Sequence, residues 1–231
     1  MNSSAIPEIT REFYLAAMPV LILSCASIVA MLQSVYKSVS GPSALFFVCL
    51  FSLVTAIVSA IMGLGGTPVS YLGGSYFHEQ LAVWGQVMIL AIAIAIAVLM
   101  RATSYKVDFF RGEIIALYLM VVTGMLVLVT SNELISLFVG LEIASIGIYA
   151  LVGYISPSRL SQEAAIKYFI LGAFSTGFLL FGLALLYAFS GTMVLSDIIA
   201  QLSMHATHPW VKVGALFTFI GLGFKLALVP F

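Results

Sequence analysis

Charge is what this sequence has least of. Only 8% of its 231 residues are charged, 62% are hydrophobic, and the mean hydropathy is +1.18. Soluble globular domains carry about a quarter charged residues, so the composition is that of an integral membrane protein. Nine basic and nine acidic residues cancel, and no basic run exists to track a phosphate backbone, which excludes nucleic acid as a partner. Cysteine is limited to Cys25 and Cys49, both inside apolar runs and without C-x-x-C spacing. That excludes an iron–sulfur cluster, a zinc site or a thiol redox pair, and both are read as small core-filling residues. None of the three histidines falls inside an apolar segment, so no haem ligand of the cytochrome-b type is available. The glycines between Gly63 and Ser75 do not form G-x-G-x-x-G between a strand and a helix, and the stretch is read as an external turn.

What is present is a series of long apolar runs. A spanning helix needs about 20 apolar residues, and seven segments approach that length: 13–35, 43–64, 81–100, 113–130, 133–154, 164–189 and 212–231. The expected fold class is all-α, a polytopic transmembrane helix bundle of about seven spans. The first run is too long for a signal peptide, and Glu8, Arg11 and Glu12 before it are no basic n-region. The connectors are short, with Ser40, Gly41 and Pro42 in one and Ser156, Pro157 and Ser158 in another, leaving no room for a soluble domain. Lys37, Arg101, Lys106, Arg111 and Arg159 fall on one side, Arg11 and Lys212 on the other. The positive-inside rule makes the first side cytoplasmic and the N-terminus external. LSDIIAQLSM, in the external loop from Ser190 to Val211, has helix-like apolar spacing and predicts a short interfacial helix.

Against this background three charges stand out: Glu142, Lys167 and Lys225 lie inside apolar segments. A charge at the centre of a membrane helix costs roughly 2.5 to 3.5 kcal/mol on insertion scales, and retained ones mark ion or proton paths. Helix rise puts Glu142 about 15 Å, Lys167 about 21 Å and Lys225 about 20 Å from the outer boundary. A single layer of titratable groups at that depth suits lateral proton transfer, with Glu142 able to pair with either lysine. Two ordinary readings compete. Glu163 and Lys167 stand at i, i+4 with the acid first, so Lys167 can be a helix-surface partner of Glu163. Glu142 can belong to a purely structural ion pair, although such pairs are poor sources of stability. Glu133, after Ser131 and Asn132, reads as a first-turn acid complementing the helix dipole.

Around Lys225 the sequence is GLGFKLALVPF. Tight glycine packing with a proline kink is one reading. The other is a discontinuous helix, in which Pro230 frees the Leu226 carbonyl beside Lys225, as at midplane ion sites. His205, His208 and Asp197 have metal-compatible spacing but lie in a loop without a further ligand and are read as solvated; no metal is expected. Tyr149, Tyr154 and Tyr168 read as packing or interfacial residues, with a water chain as the alternative role for a tyrosine hydroxyl.

SNELISLFVGLEIASIGIYALVGY, SQEAAIKYFILGAFSTGFLLFGLALLYAFSGT and GLGFKLALVPF together resemble the antiporter-like membrane subunits of proton-pumping NADH:quinone oxidoreductase (respiratory complex I). KYFILGAFSTG points to the N type, also called subunit 2, and the resemblance is strong over 113–231. It implies the first half of an inverted-repeat fold: a three-helix segment at 1–112, then the start of the first repeat at 113–231, truncated in its broken helix. It also implies that Glu142 and Lys225 form the charge pair of a half-channel, modulated by Lys167. No cofactor is implied for this chain. NADH, FMN, iron–sulfur clusters and quinone are expected in other subunits, with other complex I membrane subunits and the lipid bilayer as partners. The implied location is a bacterial inner membrane or its organellar counterpart. Family members continue beyond the PF with a second repeat, so the sequence is expected to be part of a longer polypeptide. A multi-chain cation/proton antiporter subunit and a non-transporting structural subunit are the alternatives.

Overall fold

A computed structural model describes residues 11–35, 41–64, 69–71, 76–103, 109–154, 159–204 and 208–228. The elements are α1 (Arg11–Val35), α2 (Pro42–Met62), β1 (Val69–Tyr71), β2 (Tyr76–His78), α3 (Gln80–Thr103), α4 (Gly112–Thr130), α5 (Leu134–Val152), α6 (Arg159–Ser190), α7 (Leu195–Met204) and α8 (Pro209–Lys225). The all-α membrane bundle expected from the apolar runs is the observed fold. Among the described residues α1 to α6 are long and apolar enough to cross a membrane. The seventh expected span is shorter than its apolar run, because α8 stops at Lys225 after 17 residues.

α4 is the central helix, with 61% of its apolar window buried against 22 to 33% in the other five. Lipid tails are as apolar as leucine, so burying apolar side chains contributes little to helix association in a membrane. Close backbone approach and interhelical hydrogen bonds contribute instead. Both devices are present. A methyl group on Gly124 would lie 2.6 Å from the Ala144 nitrogen, and one on Gly140 2.7 Å from the Leu128 nitrogen, so α4 and α5 meet backbone to backbone. α6 and α8 meet in the same way, with Gly221 against Leu179 and Gly182 against Thr218. Ser27 Oγ donates to the Ala116 carbonyl (2.8 Å) and Tyr118 OH to that of Ala93 (2.6 Å), tying α1 and α3 to α4. Leu23, Leu53, Leu90, Ile115, Leu119 and Leu126 fill the space between α1, α2, α3 and α4.

The two ends of the bundle are fastened differently. At one end Arg101 lies over the rings of Phe46 and Phe110, 5.8 Å from each centroid, and Glu113 accepts hydrogen bonds from Ser34 and Tyr154. At the other end the chain before α7 crosses the start of α5. Leu134 N–H bonds Met193 O at 3.0 Å and Leu195 N–H bonds Asn132 O at 2.9 Å, around a Glu133–Val194 bridge.

Four expectations need correction or refinement. The Gly63–Ser75 stretch is more than a turn, since β1 pairs antiparallel with β2, Ser70 opposite Phe77. β-branched and aromatic residues on both sides of Gly73-Gly74 carry that hairpin signal. Cys49 is buried in the core as expected, but Cys25 is exposed, because α1 turns Leu23 and Ala30 inward and leaves Cys25 off that face. Glu133 stands at the N-cap of α5 instead of in its first turn, accepting from Ser136 Oγ at 3.0 Å. The short helix expected in LSDIIAQLSM is α7, with Ile198 as its buried residue. His205 and the Ser156, Pro157, Ser158 connector lie outside the described residues.

The end of α8 is the fourth difference with consequence for the site. Ala227 N–H bonds Phe224 O (3.0 Å) and Leu228 N–H bonds Gly223 O (2.9 Å), with Ala227 at φ +52°. This pair of bonds is a Schellman closure, normally built on glycine. The left-handed conformation costs a residue with a Cβ roughly 1–2 kcal/mol. The helix thus ends through its own hydrogen bonds directly after Lys225. Pro230, on which the expected break rested, lies outside the described residues.

Candidate functional site

α5, α6 and α8 converge on Glu142 and Lys225. Lys225 Nζ is 3.6 Å from Glu142 Oε1, and the two side chains are only 15% and 22% exposed. At 3.6 Å the ion pair is not a hydrogen bond. The ammonium protons go elsewhere, to Ser145 Oγ at 2.7 Å and Tyr149 OH at 3.1 Å. Ser145 spends its own proton on the Leu141 carbonyl (2.7 Å), so it faces the lysine with a lone pair. On the other side of the pair, Thr176 Oγ1 donates to Glu142 Oε1 at 2.9 Å.

The local sequence explains the convergence. Glu142, Ser145 and Tyr149 stand at i, i+3 and i+7, a single stripe of α5. α8 presents Lys225 to that stripe because Gly221 lets it lie against α6, where Ser175 Oγ donates to the Gly221 carbonyl at 3.0 Å. Lys225 is the last residue of α8, at the negative end of the helix dipole, which favours a cation at that position. Tyr149 is fixed by Tyr168 and Phe169, at centroid distances of 4.8 and 5.9 Å.

Lys167 is not brought to the pair. Its Nζ bonds Glu163 Oε1 at 2.5 Å, and the two side chains are 69% and 59% exposed. Thr176 marks where α6 meets Glu142, and Lys167 lies nine residues earlier, roughly 13 Å along the axis. A lysine stem does not span that distance. The expected single layer assumed that every span starts at a common boundary, whereas α6 starts at Arg159 and runs 32 residues. His208, the described member of the loop histidines, packs against Phe189 at 4.8 Å.

Ser145, Tyr149 and Thr176 were not singled out for this site from the sequence. The α5 stripe carried a signal for the first two through helical periodicity. Thr176, on another helix, carried none.

A family model described as NADH:quinone oxidoreductase/Mrp antiporter, TM, matches residues 131–231, the stretch that contains all of these groups. Subunit N of the NADH-quinone oxidoreductase of Methylovorus glucosotrophus is 32% identical over 94% of this chain and 45% of its own length. Over this stretch the chain resembles the antiporter-like membrane subunits. Among them the resemblance is to subunit N, as KYFILGAFSTG implied. Nitrosomonas europaea subunit N is 33% identical over 93% of this chain and 45% of its own length. The chain spans about 45% of the length of these relatives. In a solved structure of respiratory complex I from Thermus thermophilus with bound aureothin, one chain superposes with a TM-score of 0.75 at 29% identity, over 93% of this chain and 45% of that one. A chain of an archaeal membrane-bound sulfane sulfur reductase shares the antiporter-like fold, with a TM-score of 0.78 at 22% identity, over 95% and 45% of the two chains.

Proposed function

We propose that this antiporter-like chain belongs to a proton-translocating membrane subunit of NADH:quinone oxidoreductase, in which Glu142 and Lys225 form part of a half-channel. The observation that carries this reading is the pair itself. A carboxylate and an ammonium lie 3.6 Å apart where α5, α6 and α8 meet, with hydroxyls of Thr176 and Ser145 bonded to them. Breaking such a pair by removing one partner is strongly unfavourable, yet the pair adds little stability over an apolar replacement, so retaining it needs another reason. Moving a proton supplies one, since each partner's charge sets the other's readiness to take or release a proton.

In this reading the chain does no redox chemistry. NADH, FMN, iron–sulfur clusters and quinone belong to other subunits, and other membrane subunits and lipid are its partners. Residues 113–231 begin the first antiporter-like repeat and 1–112 precede it as a three-helix segment. Lys167, paired with Glu163 on the same helix, modulates the pair from a distance. The chain resides in a bacterial inner membrane or its organellar counterpart, with its N-terminus outside. The matching family description also names an antiporter, which supports a second reading as a subunit of a multi-chain cation/proton antiporter. Co-purification with flavin and iron–sulfur subunits separates the two.

The deciding experiment replaces Glu142 by Gln and Lys225 by Ala in the full-length subunit, then compares NADH-driven proton pumping with the amount of assembled complex. Loss of pumping at normal assembly is the expected result. Normal pumping in an assembled complex would overturn the proton-path role and leave the charges a structural one.

A further inference from the structure

We propose that Ser145 and Tyr149 form a holding station for the Lys225 ammonium, a position distinct from contact with Glu142, so that both are positioning residues of the translocation step. This inference deepens the proposed function and rests on it.

The geometry of Lys225 carries the argument. A lysine beside a carboxylate has a charge-assisted hydrogen bond available, roughly twice as strong as a neutral one and normally 2.7–2.9 Å long. Here the Nζ–Oε1 separation is 3.6 Å, while two neutral oxygens hold the same nitrogen at 2.7 and 3.1 Å. The ammonium therefore sits on the hydroxyls with the carboxylate less than 1 Å beyond hydrogen-bond reach. A small side-chain movement separates the two arrangements. On the station the lysine keeps its protons, because neither hydroxyl oxygen is basic enough to take one. In contact with Glu142 an N–H bond can break as an O–H bond forms at Oε1, leaving a neutral amine and a neutral acid.

Four further observations show that the station is built in. Ser145 and Tyr149 are 8% and 7% exposed. Ser145 is turned by its bond to the Leu141 carbonyl so that it can only accept from the lysine. A Cβ at position 172 would collide with the Tyr149 hydroxyl, so Gly172 on α6 is the notch that lets this hydroxyl lie where Lys225 reaches it. The Tyr149 ring also lies within cation–π range of Lys225 Nζ, 5.5 Å from its centroid, which favours a cation there by a second route.

The test uses the full-length subunit in the assembled complex. S145A/Y149F removes two oxygen atoms, and proton pumping is measured per assembled complex beside wild type, S145T and E142Q. Each hydrogen bond lost to a charged group corresponds to about tenfold or more in the station's occupancy. Two such bonds are lost in S145A/Y149F, so the expected result is a fall in pumping of about a hundredfold at normal assembly, with S145T, which keeps the hydroxyl, close to wild type. Wild-type pumping by S145A/Y149F overturns the station, as does S145T pumping as poorly as the double variant. If the double variant does not assemble, S145A and Y149F are judged singly by the same criteria. An inactive E142Q beside a normally pumping S145A/Y149F removes the station and leaves the proposed function standing. A normally pumping E142Q removes both.

Discussion

Removing the Lys225 amine should cost more than removing both charges of the pair. At 3.6 Å two unit charges attract by about 4 to 5 kcal/mol at an effective dielectric constant of 20. The partners keep 15% and 22% exposure, which lowers the usable part to about 3 kcal/mol. In Lys225→Ala, Glu142 keeps its Thr176 hydrogen bond but loses its counter-charge, and Ser145 and Tyr149 lose the cation they hold. In Glu142→Gln/Lys225→Met no charge is stranded, and much of the loss should be recovered. Unfolding of the purified full-length subunit by titration with sodium dodecyl sulfate reads these differences. Lys225→Ala should shift the folded-to-unfolded ratio by about a hundredfold, and the double neutral variant by far less. The cycle needs Glu142→Gln alone as its fourth corner. Equal stability for Lys225→Ala and the double variant would show that the two charges do not support each other, and the ion-pair reasoning would fail.

Two further outcomes test the framework around the pair. Ala227→Gly should stabilise the subunit by about 1 kcal/mol, because glycine adopts the left-handed conformation at this turn without strain. Ala227→Val should do the reverse, both read in the same titration. Gly140→Ala drives a methyl group to 2.7 Å from the Leu128 nitrogen, a backbone atom that cannot rotate away. It should destabilise by about 1–3 kcal/mol; a stability equal to wild type would mean that α4 and α5 are not held in close contact.

The helices were legible because hydrophobic length alone specifies a membrane span, and α1 to α5 begin and end within a few residues of the apolar runs. The Glu142–Lys225 pair was legible because charge in an apolar helix is conspicuous and helix rise gives its depth. Lys167 was misplaced by that same ruler. α6 extends beyond its apolar run, and a helix that overshoots carries its residues away from the depth its apolar boundary implies. The end of α8 was concealed for another reason. Proline is the visible helix breaker in GLGFKLALVPF, whereas the observed stop is a Schellman turn on alanine, a residue whose identity favours helix. Glu163 was legible as the i, i+4 partner of Lys167, and the structure chooses that ordinary alternative. Thr176 was illegible in principle, since only the packing of α6 against α5 makes its hydroxyl face Glu142.

The hydrogen bond from Ser145 to the Leu141 carbonyl restricts how protons can travel. A Grotthuss chain needs each member to accept a proton on one side and release its own on the other. Ser145 has already committed its proton to a backbone carbonyl, which cannot pass it on. It is therefore an insulator in the middle of a polar cluster, electrically supportive of Lys225 but closed to conduction while that bond lasts. Of the groups that touch Lys225, only Glu142 is a base, so a proton conducted here leaves the lysine through that carboxylate.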